Sequence, residues 1–124
     1  MPTPERLAGF IDTVVAGRYV EALRDYYHED AVTQENNGPE RHGLPTLVAT
    51  EQAVLGMFEM QAHAPSTVLL DGEDVAIRWT FDIADKGGTI RRMDEVALQR
   101  WRGDRIERER FFYDPSLPTI DAPR

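Results

Sequence analysis

Apolar residues recur at helical spacing along the first part of the chain. Between Pro4 and Ala16 they fall at Leu7, Phe10, Ile11, Val14 and Val15, one face of a 3.6-residue repeat, and Gly17 then marks a stop. Tyr19 to Tyr27 repeats the pattern with Ala22, Leu23, Tyr26 and Tyr27, so a second short helix is predicted. Asp30 to Glu35 predicts a brief strand, and Asn36 to Gly43, with its Asn-Gly-Pro signal, a loop. Pro45, in a first turn, opens a third helix whose apolar positions Leu47, Val48, Val54, Leu55, Phe58 and Ala62 carry it to Pro65.

Beyond Pro65 the period changes to two. Thr67 to Leu70 turns at Asp71-Gly72-Glu73-Asp74, after which Val75, Ile77, Trp79, Phe81 and Ile83 alternate with Ala76, Arg78, Thr80 and Asp82. Ile90 to Trp101 and Arg105 to Tyr113 then predict a long hairpin about Arg102-Gly103-Asp104. Helices first and an antiparallel meander afterwards imply an α+β fold, a cone-shaped curved sheet wrapped around three helices. Residues 1–115 form the expected single domain, and the proline-rich 116–124 a flexible tail. The open end of such a cone is a pocket if polar side chains point into it.

Composition narrows the function classes. A chain of 124 residues is sufficient for one core. A formal charge of −8 argues against a nucleic-acid partner. The arginines between Arg91 and Arg110 do not reverse this, because Asp94, Glu95, Asp104, Glu107 and Glu109 are interleaved with them. The absence of cysteine excludes disulfides and thiolate chemistry, and His28, His42 and His63 are scattered, so neither a metal nor a cofactor is expected. No apolar run is long enough to cross a bilayer and Met1 to Arg6 lacks a signal-peptide pattern, so no membrane partner and a cytoplasmic location are expected.

The stretch AGRYVEALRDYYHEDAVTQENNGPERHG, together with EVALQRWRGDRIERERFFYDP, resembles the nuclear transport factor 2-like superfamily, and within it the SnoaL-like polyketide cyclase group, from Leu7 to Pro115. The resemblance implies the curled-sheet fold more firmly than any one reaction, since such folds host many chemistries. Compared with ketosteroid isomerase, a catalytic member, Glu35 falls where that enzyme has its catalytic aspartate. Phe10 falls on its oxyanion tyrosine and Ala97 on its protonated aspartate, so ketosteroid isomerisation itself is not expected.

On this reading Glu35 is a general base at the pocket mouth, with Gln34, Asn36 and Asn37 as hydrogen-bonding neighbours. The resemblance favours a three-residue hairpin turn, which points Glu95, Ala97, Gln99 and Trp101 inward, with Glu107, Glu109, Phe111 and Tyr113 opposite; Glu109 then faces Ala97. A strict two-residue turn would instead put Trp101 on the face of Ile106. Glu95, Glu109 or Tyr113 would supply the second proton-transfer group, with at least one carboxyl raised in pKa. Gln34, Asn36, Trp79, Phe81, Trp101, Phe111, Phe10 and Phe58 are the candidate substrate contacts. The plainer readings are that Glu95 and Glu109 pair with arginines, that Arg41 and His42 are simply exposed rather than an anion clamp, and that His63 answers the dipole of the third helix.

The function these residues suggest is cofactor-free acid-base chemistry of the isomerase, cyclase or lyase type on a small hydrophobic, polyketide- or steroid-like molecule. A non-catalytic dimerisation or ligand-binding module is the alternative. A homodimer is expected through the outer sheet face, with Val96, Leu98 and Phe112 at its centre and arginines and aspartates around them.

Overall fold

The structure, a computed structural model, describes residues 1–121. Helix α1 (Pro4–Val15) starts where the Thr3 hydroxyl accepts from the Arg6 amide at 3.0 Å, and α2 (Tyr19–Tyr26) follows after Gly17. Strands β1 (Tyr27–Glu35) and β2 (Arg41–His42) precede α3 (Leu44–Met57), which lies across the concave side of the sheet. The remaining strands are β3 (Glu59–Ala62), β4 (Thr67–Asp71), β5 (Asp74–Ala84), β6 (Ile90–Arg102), β7 (Arg105–Tyr113) and β8 (Thr119–Ile120).

The sheet runs β2-β1-β7-β6-β5-β3, with β4 on the same edge of β5 as β3 and β8 on β6. Among the described residues every pairing is antiparallel except one: β1 lies parallel to β7, so the sheet is mixed rather than wholly antiparallel. Inward residues of β5 (Val75, Ile77, Trp79 and Phe81) are buried, as the alternation predicts. At the closed end Trp101 and Ile106 are fully buried, and Phe10 meets the Trp101 indole edge-on.

Several expectations need correcting. The third helix ends at Met57, eight residues before Pro65, and Phe58 is already extended. Residues 59–62 pair instead with Phe81 to Ala84, covering the otherwise free edge of β5 at that end. His63 therefore sits on no helix: its amide donates to Thr80, and its Nε2 lies 2.6 Å from Asp82 Oδ2.

The hairpin turn is the two-residue Gly103-Asp104, with Gly103 at φ 65° and Trp101 opposite Ile106. A bulge at Glu107 then adds one residue, so Arg100 faces Arg108 and Gln99 faces Glu109. The bulge restores the inward alternation of Glu109, Phe111 and Tyr113, but Glu109 sits opposite Gln99, not Ala97. Glu107 is not directed into the pocket; it lies 3.6 Å from Arg102.

The presumed tail also has structure at its start. β7 ends at Tyr113 while β6 extends further, and Thr119 and Ile120 occupy the vacated side of β6 at Arg91 and Ile90. Residues 122–124 of that segment lie outside the described residues. On the outer face, Arg78–Asp94, Arg92–Asp82 and Arg100–Asp74 pair across adjacent strands.

Candidate functional site

The open end of the cone holds a cavity of about 500 Å³ between the sheet, α2 and α3. Its walls are mainly apolar. Trp79, Phe81 and Phe111 line it from the strands, and Phe10 and Phe58 from the helical side, as the sequence suggested. Trp101 does not reach it: this indole is sealed in the core and donates to Gln99 Oε1 at 3.0 Å.

Into this apolar space come four glutamates, Glu35, Glu51, Glu95 and Glu109. Glu35 stands at the end of β1, half-exposed, with Arg41 Nη1 2.6 Å from Oε2 and the Tyr113 hydroxyl donating to Oε1 at 2.8 Å. The bond to Glu35 and burial raise the Tyr113 phenol to about 12, burial being the larger cause. Arg41 is thus neither idle nor free to clamp an anion, because Glu35 already occupies it.

The amides around Glu35 serve another purpose. Asn36 takes a left-handed conformation (φ 51°), and its Oδ1 accepts from the Tyr113 amide while its carbonyl accepts from Arg110 Nε. Asn37 Oδ1 accepts from Arg110 Nη2, and Gln34 Nε2 donates to the Gly38 carbonyl. Neither Gln34 nor Asn36 lines the cavity. The antiparallel β1–β2 pairing requires a sharp reversal after Glu35, where Gln34 and Asn36 satisfy backbone groups and Asn37 holds Arg110.

Glu109 is fully enclosed. Gln99 Nε2 donates to its Oε2 at 2.6 Å and the Tyr27 hydroxyl to its Oε1. Burial raises it to about 7 against those two donors, and the same burial pushes the Tyr27 phenol well up. Glu95, between Trp79 on β5 and Tyr113 on β7, is only 5% exposed. Burial first, then the charges of Glu109, Glu35 and Glu51, raise it to about 8. Among the described residues neither pairs with an arginine, contrary to the plainer expectation; Arg78, Arg92 and Arg100 pair with aspartates on the outer face instead.

Glu51 went unnoticed in the sequence. It lies four residues after Leu47 and before Leu55, the one charged residue on that stripe of α3, which was the available signal. Burial and the Glu35 charge raise its pKa. Among the described residues no helix is long and apolar enough to cross a membrane, and no group of three or more acidic or histidine side chains has the geometry to hold a metal ion.

A SnoaL-like domain profile matches residues 7–109. A protein of Mesorhizobium loti described as a SnoaL-like polyketide cyclase is 28% identical, with 91% of this chain and 100% of that one covered and a TM-score of 0.77. A Catenulispora acidiphila protein with a ketosteroid isomerase-like fold, solved in complex with trimethylamine, is 20% identical over 92% and 88% of the two chains, with a TM-score of 0.77. An LEH-like epoxide hydrolase of M. tuberculosis is 12% identical over 89% and 80%, with a TM-score of 0.74. No curated protein matches the chain.

Proposed function

Since the chain belongs to the SnoaL-like domain family, we propose that its cavity is the active site of a cofactor-free acid-base enzyme, of isomerase, cyclase or lyase type, acting on a small hydrophobic compound. The observation that carries this reading is the convergence of four glutamates in an apolar, open cavity of about 500 Å³. A plain dimerisation module has no use for such an arrangement, because each desolvated carboxyl costs stability. Glu35, paired to Arg41 at the rim, is the base, taking a proton from a carbon or from water. Glu95, raised to about 8, carries a proton at neutral pH and is the acid. Phe10 and Ala97 leave no hydroxyl or carboxyl donor at the positions that ketosteroid isomerase uses, so the reaction is a different one. Glu109, with both oxygens occupied by Tyr27 and Gln99, is a positioning residue for the cavity wall. The volume suits a ring-sized ligand, and relatives of this fold include an epoxide hydrolase and a protein holding a small organic molecule.

A thermal-shift screen of hydrophobic carbonyl compounds and hydroxylated aromatics, followed by turnover assays on the hits, tests the reading. Glu35→Gln should abolish turnover and leave the melting temperature nearly unchanged. A marked drop in melting temperature with unaltered ligand affinity would assign Glu35 to structure.

We further propose that the protein is a homodimer through the outer face of the sheet. Leu69, Ala76 and Leu98 lie in one cross-strand row and Val96 and Phe112 in the next, and of these Leu69, Val96, Leu98 and Phe112 are exposed. Such a contiguous apolar strip bordered by ion pairs suits an isologous contact.

A further inference from the structure

Glu95 differs from the other glutamates of the cavity. Glu35 has Arg41 and Tyr113, and Glu109 has Gln99 and Tyr27, but Glu95 has no hydrogen-bond or ion-pair partner among the described residues. Among the described residues no side-chain polar atom sealed from solvent lacks a partner, so the Glu95 oxygens must open onto the cavity. A side chain that is 95% buried and unpartnered there is waiting for a donor brought by the ligand.

The surroundings select the kind of donor. The titratable groups facing Glu95 are Glu109 and Tyr113 on β7, Tyr27 and Glu35 on β1 and Glu51 on α3, with the uncharged Trp79 beside it on β5. Of the cations at the cavity, Arg41 is taken by Glu35, and Arg91 belongs to an exposed stretch of β6 where it donates to the Leu117 carbonyl. The interior therefore has an excess of carboxyl groups with aromatic rings alongside, Trp79 and Phe81 tilted together at 5.6 Å. That combination attracts a cation with an apolar body and repels an anion.

We propose that the cavity takes a hydrophobic amine, bound as its ammonium against Glu95 and the Trp79 face. This rests on the acid-base reading above and names the ligand class of the same site. The proton that Glu95 holds when the cavity is empty is the one it would surrender: a neutral amine takes it directly, leaving an ammonium–carboxylate pair in which the ammonium N–H now carries the acid's proton for the chemical step, whereas a ligand already cationic drives it to solvent. Binding of a cation is accordingly coupled to release of about one proton while Glu95, raised to about 8, is still protonated.

Benzyltrimethylammonium, whose charge cannot titrate, and its neutral isostere neopentylbenzene are the probes, measured by calorimetry in buffers of different ionisation enthalpy. The cation should bind more tightly, strengthen up to about tenfold per pH unit below about pH 8, level off above it, and release about one proton. Glu95→Gln, which relieves the buried acid, should remove the proton release and cut affinity for the cation at least tenfold while binding of neopentylbenzene is retained. Neopentylbenzene binding as well as the cation at every pH, or a cation affinity indifferent to pH and to Glu95→Gln, would overturn the amine and leave the acid-base site standing. Failure of both probes and of the carbonyl library to bind would overturn the two together.

Discussion

Glu95→Gln should stabilise the folded protein at neutral pH and leave it unchanged in acid. In the unfolded chain this carboxyl titrates near 4.5, whereas in the fold burial and the neighbouring glutamates raise it to about 8. Between those values the folded chain holds a proton that the unfolded chain has released, so stability contributed at this position is full below 4.5 and is lost as pH rises through about 8. Each pH unit in that window removes about 1.4 kcal/mol. At pH 7 the loss amounts to about 3 kcal/mol, and exposure of only 5% leaves little solvent screening to reduce it. Glutamine keeps the shape without the titration. Urea unfolding of both proteins at pH 4, 5.5, 7 and 8 should show curves that coincide at pH 4 and separate by about 3 kcal/mol at pH 7, on the order of 10 °C in Tm. Glu109, raised to about 7, gives both proteins a common additional decline. A gap that stays constant from pH 4 to pH 8, or a variant less stable than wild type at pH 7, would refute the assignment of Glu95 as a buried, unpartnered acid.

Tyr27→Phe removes one of the two donors to Glu109, so its titration, followed by carboxyl NMR, should move above about 7, with about 1–2 kcal/mol of stability lost; an unmoved midpoint would show that Gln99 alone holds it. Arg41→Ala breaks an ion pair whose partners are both more than a third exposed, so stability should change by less than about 1 kcal/mol while turnover of any substrate found falls through the misplaced Glu35; a large loss in urea unfolding would make Arg41 a structural residue. Phe112→Asp should turn the dimer into a monomer in sedimentation, and a wild type that sediments as a monomer at micromolar concentration would end the dimer proposal.

Much of the architecture was legible because it depends on local patterns. The apolar periodicity of Leu7 to Val14 and the strict alternation of Val75 to Phe81 each bury one face whatever else the chain does. The fold family followed from the same segments, and Glu35 and the aromatic walls from the resemblance they carry. Where Met60 and Ala62 suit a helix and a strand equally, only the free edge of β5 decided, and α3 ended at Met57. Likewise, a single bulged residue at Glu107 placed Glu109 opposite Gln99, and no pattern in Arg105 to Tyr113 announces it. The sequence by itself determined that several glutamates and aromatic residues would share one inner face. Which glutamate has partners and which has none was decided by the tertiary structure, because Tyr27 is 82 residues from Glu109 and Arg41 meets Glu35 only after the chain reverses. Glu95 was left alone for the same reason: its neighbours on both sides, Trp79 and Tyr113, come from other strands, and neither offers it a hydrogen bond.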